Sequence, residues 1–209
     1  MEHDHPFGEA LRAAIAANLD AFERLPLASD GLRRAAVAMT VVDDGAGRGA
    51  FVLTRRSDRL RRHPGQWALP GGRLDTGETP EEAALRELEE EVELHLGAAA
   101  VLGRLDDYAT RSGYLITPVV IWAGPGARPV PNPQEVDSVH LIPFAELFVE
   151  GSPEFVAIAE SDRPVIRMPI AGSRIHAPTA AVIYQFREVA LAGRQTRVAH
   201  LEQPVFAWR

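Results

Sequence analysis

PGGRLDTGETPEEAALRELEEEVEL, residues 70 to 94, opens on a proline and two glycines, and from Gly77 onward eight glutamates surround one basic residue, Arg86. The local signals are those of a turn followed by a helix. Gly71 and Gly72 supply a sharp turn whose backbone a ligand or ion can approach. Thr79 can cap a helix, Pro80 suits its first position and Glu82 completes a capping box, so a helix is expected from Thr79 to about residue 93. With Glu87 at zero on a helical wheel advancing about 100° per residue, Glu90 falls at about −60° and Glu91 at about +40°. These three carboxylates share a face. Leu85, Leu88 and Val92 form the buried stripe, and Glu82, Glu89 and Glu93 point to water.

Carboxylates at i, i+3 and i+4 repel by roughly a few tenths of a kcal/mol per exposed pair, and by more when partly buried. A helix built for stability alone would intersperse Lys or Arg. Two explanations stand: a solvated acidic face, or a divalent cation. Hard ions such as Mg²⁺ take oxygen ligands and bind through one or two carboxylates together with substrate phosphates.

The rest of the chain bounds the chemistry. Its 209 residues suffice for one domain with a real core, and a composition 46% apolar and 24% charged is globular. No cysteine is present, which excludes disulfides, thiolate metal sites and Cys nucleophiles. A formal net charge of −7 argues against broad nucleic-acid binding. The charge-punctuated N-terminal segment is not expected to be a signal peptide, and no stretch approaches the ~18 apolar residues of a membrane helix. The expectation is a cytoplasmic protein with neither nucleic acid nor membrane as partner.

Residues 7 to 25 carry Leu11, Ile15, Leu19 and Phe22 at helical spacing. Runs 35 to 42 and 50 to 54 flank DDGAGRG and predict a hairpin, followed by a polar, Arg-rich loop from 55 to 66. VLGRLDDYA (101 to 109) and YLITPVVIWA (114 to 123) read as strands, 124 to 133 as a Pro- and Gly-rich loop, VDSVHLI as a strand and PFAELF as a short helix. Two short strands are expected within 154 to 176, and APTAAVIYQFREVALAG as a long helix closed by Gly193. Strands mixed irregularly with two long helices predict an α+β or mixed α/β sandwich. The expected division is a helical extension (1–32), a central domain (33–193) and a C-terminal appendage (194–209) that the pattern does not place.

From Gly72 the spacing is Gly, five residues, Glu78, seven residues, then Arg86-Glu87-Leu88-Glu89-Glu90-Glu91-Val92-Glu93-Leu94. This resembles the signature of the Nudix hydrolases, G-x5-E-x7-R-E-U-x-E-E-x-G-U with U a bulky apolar residue. One position departs: Glu93 stands where the family has glycine. The departure falls in the last turn, on the solvent side of the wheel, and removes no carboxylate. The resemblance implies an α/β/α sandwich around a mixed sheet, a catalytic loop-helix-loop, Mg²⁺ or Mn²⁺ as cofactor, and hydrolysis of a diphosphate linkage. It implies Glu87, Glu90 and Glu91 as metal ligands, with the Gly71 carbonyl a further one, and Glu78 and Arg86 as supports of the loop-helix geometry. Glu90 is the first choice of general base; Glu135 and the Asp106-Asp107 pair are candidates outside the signature, each with an exposed structural role as its alternative.

The preceding stretch FVLTRRSDRLRRHPGQWALPGG, residues 51 to 72, resembles the motif of the coenzyme A diphosphatase branch, L-L-T-x-R-S followed by R-x3-G-x3-F-P-G-G. Val52 to Ser57 fill the first part. Arg61, Gly65 and Pro70-Gly71-Gly72 fill the second, with Leu69 in place of Phe. The likeness spans about residues 33 to 190. It implies substrate contacts from Arg55, Arg56, Ser57, Arg61 and Gly65, and products 3′,5′-ADP and 4′-phosphopantetheine or its acyl form. Arg55, Arg56, Arg59, Arg61 and Arg62 are physically suited to the task, since guanidinium groups grip phosphate oxygens in pairs; His63 reads as a loop-packing residue. Alternatives are another Nudix specificity (ADP-ribose, NADH or a dinucleoside polyphosphate) and a non-catalytic nucleotide-binding regulatory domain. A homodimer is compatible with the family.

Overall fold

A computed structural model describes residues 5–59 and 65–208. Its centre is the expected hairpin. Strands β1 (Arg33–Asp43) and β2 (Gly49–Arg56) pair antiparallel only at their base, from Val41 opposite Phe51 to Asp43 opposite Gly49. They then part. β2 takes up β3 (Trp67–Ala68) and β1 takes up β4 (Gly71–Arg73), so Leu69 and Pro70 cross the wedge between them.

On its other edge β1 lies parallel to β7 (Tyr114–Trp122), which carries β5 (Val101–Arg104) and β6 (Tyr108–Ala109) antiparallel; β8 (Val136–Pro143) runs antiparallel along β2. One parallel pairing among antiparallel ones makes the sheet mixed, as expected.

Alternation along β1 sorts the two layers. Ala36 and Ala38 face helix α2 (Pro80–Val92), which meets them with Ala83, Ala84, Leu88 and Val92. Small side chains on both partners seat the helix close to the sheet. Met39 and Val41 face the opposite way, into a cluster with Leu11, Ile15 and Leu19 of α1 (Glu9–Asp20) and Ile183 and Phe186 of α3 (Thr179–Phe186). The result is the α/β/α sandwich. Three strands occupy the segment where two were expected: β9 (Glu154–Ile158), β10 (Ser161–Ile170) and β11 (Ser173–His176) form a small antiparallel sheet on the α3 side.

Other expectations need correction. The run 101–109 is not one strand, because Asp106 and Asp107 turn inward between β5 and β6. Asp106 accepts from the Leu25 amide at 2.8 Å, Gln185 Nε2 at 2.9 Å and Arg197 Nη1 at 3.0 Å. Asp107 accepts from Arg24 Nη2 at 2.5 Å and Thr117 Oγ1 at 2.6 Å. Both are buried and engaged, so they tie segments together and are withdrawn as general bases; nor are they the exposed residues their alternative supposed. The long C-terminal helix is α-helical only to Phe186 and widens into a π-helical turn, Arg187–Leu191, where buried Arg187 donates to the carbonyls of Leu147 and Ser152, each at 2.9 Å.

The unplaced segment 194–208 is held from three sides. Arg163 donates to the carbonyls of Ala199 and Leu201 at 2.7 and 2.6 Å, and the Tyr108 hydroxyl to that of Leu201 at 3.1 Å. Glu202 meets Arg111 at 2.5 Å and Ser161 at 3.0 Å. Val198 and Leu201 enter the same core as the α1 residues, so both end segments pack onto the central unit. Among the described residues no helix is long and apolar enough to cross a membrane.

Candidate active site

Helix α2 starts as its sequence dictates. Thr79 Oγ1 accepts from the Glu82 amide at 3.3 Å and Glu82 Oε2 from the Thr79 amide at 2.8 Å, the reciprocal box. Its other end differs from the wheel. Glu93 is not in the last turn but follows it, at φ 54° in the left-handed region, with its amide and that of Leu94 returning to the carbonyls of Glu89 and Leu88. The signature's missing glycine would sit at a position that asks for one. Glu93→Gly is therefore expected to stabilise the fold by about 0.5–1 kcal/mol, the left-handed cost less glycine's extra chain entropy. A urea denaturation midpoint that falls instead would contradict this account.

The remaining carbonyls of that last turn are taken by the loop expected at 124–133. The Val130 amide donates to Val92, the Asn132 amide to Glu91 and Asn132 Nδ2 to Glu90, all at 2.9 Å. Asn132 was not singled out from the sequence, although Asn before Pro is a turn signal that could have marked it. It fixes the loop to the end of α2 and carries Glu135 with it, whose amide donates to the Asn132 carbonyl at 3.0 Å.

The carboxylates divide by burial. Glu87 and Glu91 are buried, whereas the Glu90 side chain is 48% exposed. Arg86 is the hub between them: Nη1 reaches Glu87 Oε1 at 2.9 Å and Glu90 Oε2 at 3.0 Å, Nε reaches Glu78 Oε1 at 2.9 Å, and Nη2 the Arg73 carbonyl at 3.0 Å. The Arg86 hydrogen bond holds Glu78 below the ordinary carboxylate range. Burial pushes Glu87 the other way, against Arg86. Burial also pushes Glu91 up, to about 8, with the charges of Glu87 and Glu135 adding to it and Arg56 and the Gly71 amide opposing.

Two glycines make the approach possible. A Cβ on Gly71 would stand 2.4 Å from the Ala36 carbonyl oxygen, and one on Gly72 would stand 2.1 Å from Glu87 Oε1. Any side chain there would separate β4 from β1 or evict the carboxylate.

Around this group stands the arginine segment. Arg56 Nη1 lies 3.7 Å from Glu91 Oε1, and its buried Nε has no hydrogen-bond partner among the described residues. Arg55 and Arg59 are exposed. Ser57 is fully buried, its amide donating to the Glu135 carbonyl at 2.9 Å, so any contribution to binding runs through the segment it anchors. Gly65 (φ 63°) donates to the Arg56 carbonyl at 3.1 Å. Arg61, Arg62 and His63 lie outside the described residues. Leu69, where the resembling motif has Phe, is buried in the core.

The donor set suits a hard divalent ion: all candidate ligating atoms are oxygens, and the two buried carboxylates are offset by Arg86, 2.9 Å from Glu87, and by the more distant Arg56, 3.7 Å from Glu91. As they stand, no three acidic or histidine side chains among the described residues are gathered closely enough to hold one, Arg86 drawing Glu87 and Glu90 to itself.

Comparison with known proteins bears on the family and the fold. The NUDIX domain family model matches residues 32–167. An uncharacterized Nudix hydrolase, NudL, of Photorhabdus laumondii is 37% identical over 132 residues, 63% of this chain and 70% of that protein. The NudL of Yersinia enterocolitica is 43% identical over 97 residues, 46% of this chain and half of its own length. Among solved structures, a MutT/nudix family protein from Enterococcus faecalis shares the fold, with a TM-score of 0.55 at 16% identity over 80% of this chain and 65% of that one.

Proposed function

We propose, on the premise that this chain belongs to the Nudix hydrolase family, that it splits the diphosphate linkage of coenzyme A or its derivatives with Mg²⁺ or Mn²⁺, giving 3′,5′-ADP and 4′-phosphopantetheine or its acyl form. The observation that carries the hydrolytic part is the buried Glu87–Glu91 pair seated on Gly71 and Gly72. What supports the substrate is the cationic segment beside it, where Arg56 Nη1 lies 3.7 Å from Glu91 and its Nε has no hydrogen-bond partner among the described residues.

Glu87, Glu90, Glu91 and the Gly71 carbonyl would hold the metal. When bound, such an ion neutralises phosphate charge and lowers the pKa of an attacking water. Arg86, braced by Glu78, sets the spacing of Glu87 and Glu90. Glu90, the most exposed of the three, accepts the water's proton, with Glu135 the nearby second acid. Arg55 and Arg56 grip phosphate oxygens, on a segment shaped by Ser57 and Gly65.

Chromatography of products after incubation with CoA and Mg²⁺ or Mn²⁺ tests the assignment. The expected product is 3′,5′-ADP; its absence, with turnover of ADP-ribose, NADH or a dinucleoside polyphosphate, moves the specificity elsewhere in the family. Glu90→Gln is expected to abolish turnover with little change in melting temperature, because its side chain is half in water and its ion pair with Arg86 is screened by solvent. An unaltered rate would remove Glu90 from the chemistry.

A further inference from the structure

We propose that a second, phosphate-binding site lies at the N-terminal end of α2, in a cleft of about 850 Å³ whose walls carry Arg33, Arg34, Arg73 and Arg104. Pro80 and Glu81, at the start of α2, line the cleft, whereas Glu90 lies ten residues further on, about 15 Å along the axis. The cleft thus opens beyond the Arg86–Glu78 clamp, which forms its boundary with Glu87 and Glu90.

The charge balance sets it apart. Arg33 lies over the Tyr114 ring at 4.2 Å and donates to the Ser112 carbonyl at 3.1 Å; Arg73 donates to the Tyr114 hydroxyl at 2.7 and 3.1 Å. Neither guanidinium forms an ion pair with a carboxylate among the described residues, and Arg34 has no side-chain hydrogen bond or ion pair among them. The acids on the walls are Asp75, Glu78 and Glu81. Glu78 is engaged by Arg86 and Glu81 by Arg104 at 3.1 Å, which leaves Asp75 against three guanidinium groups that have no carboxylate partner among the described residues. In a chain of net charge −7 that surplus is not the background.

Like charges gathered in a cleft repel one another, and an anion relieves the repulsion. Tyr114 holds Arg33 and Arg73 in place, so part of the ordering cost of binding is met before the ligand arrives. Paired donors on planar groups suit phosphate oxygens. The site also bears on the carboxylates, since the Arg73 carbonyl accepts from Arg86, the residue that clamps Glu78, Glu87 and Glu90.

The test is calorimetric titration of the full chain with inorganic pyrophosphate in metal-stripped, low-salt buffer. Wild type is expected to bind one equivalent. Arg34→Gln and Arg73→Gln are each expected to weaken binding at least about tenfold, the loss of one charge-assisted contact, and Arg34→Lys to weaken it less. Glu90→Gln is expected to bind as wild type does. Matched melting temperatures exclude unfolding as the cause. Titration with AMP distinguishes sources of the phosphate: binding at least as tight as pyrophosphate assigns the cleft to nucleotides, weaker binding to the inorganic ion. No binding by wild type, or a loss that follows Arg55→Gln while Arg34→Gln is unaffected, overturns the proposal.

Discussion

Glu91→Gln is expected to cost at least about a thousandfold in kcat, the several kcal/mol that a metal ligand supplies to the transition state, while raising the melting temperature of the metal-free protein. The two effects have one origin. Glu91 is 3% exposed, and burial pushes its pKa from 4.5 to about 8. A folded-state pKa above the unfolded one contributes stability that is complete below pH 4.5 and is lost as pH rises through about 8. From pH 4.5 to neutrality the loss is about 2–3 kcal/mol, at roughly 1.4 kcal/mol per pH unit. Glutamine does not titrate, retains an oxygen for the Gly71 amide, and escapes the loss. Melting temperatures in metal-stripped buffer should therefore fall between pH 5 and pH 8 more steeply for the wild type than for the variant, in which only the raised Glu87 of this pair still titrates. A variant that melts lower than wild type at pH 8 would contradict the burial argument, and one that turns over at the wild-type rate would contradict the assigned role.

The second large effect is at the other end of the chain, where the sign reverses. Glu202 is 1% exposed, and the Arg111 hydrogen bond, with help from the Gln203 amide and Ser161 against the cost of burial, draws its pKa down from 4.5 to about 2. A depressed folded-state pKa gives stability present above pH 4.5 and lost as pH falls through about 2. The full linkage is about 3 kcal/mol, and because nearly half of the Arg111 side chain is in water the expected cost of Glu202→Gln at pH 7 is about 2 kcal/mol. For a chain of this size that lowers the melting temperature by about 4–8 °C. Urea denaturation at pH 7 should separate variant from wild type, and the gap should narrow steadily toward pH 2. Equal stability at pH 7 would show that the segment from Arg197 to Gln203 is held by its apolar residues and the Arg163 contacts alone.

How much of this was legible in the residues follows from how local each signal is. The capping box, the buried stripe of α2 and the turn glycines are written within single segments, and Thr79, Glu82, Leu88 and Val92 do what their spacing predicts. The hairpin and the mixed sandwich follow from runs long enough to be unambiguous. Partnerships across the chain are not written locally. Asp106 and Asp107 read as surface acids, yet each finds cations eighty or more residues away, at Arg197 and Arg24. The final segment has neither period nor cap, and distant partners such as Arg111, Arg163 and Tyr108 give it a place. Glu93 was misplaced because a wheel treats every residue as helical, whereas its backbone has already left the helix. Burial also divided a trio that the wheel treated alike, setting Glu87 and Glu91 inside and Glu90 outside.

The parting of β1 from β2 has its own consequence. One leaf of the sheet, β1 with β4 and its helix, brings the acids and glycines; the other, β2 with β8 and the loops that leave them, brings Arg55, Arg56 and Glu135. The hinge that joins them is only three residue pairs deep. On the proposed assignment, reactivity and taste reside on different halves of one folded page, so that recasting the second leaf would change what is recognised while the first went on cutting the same bond.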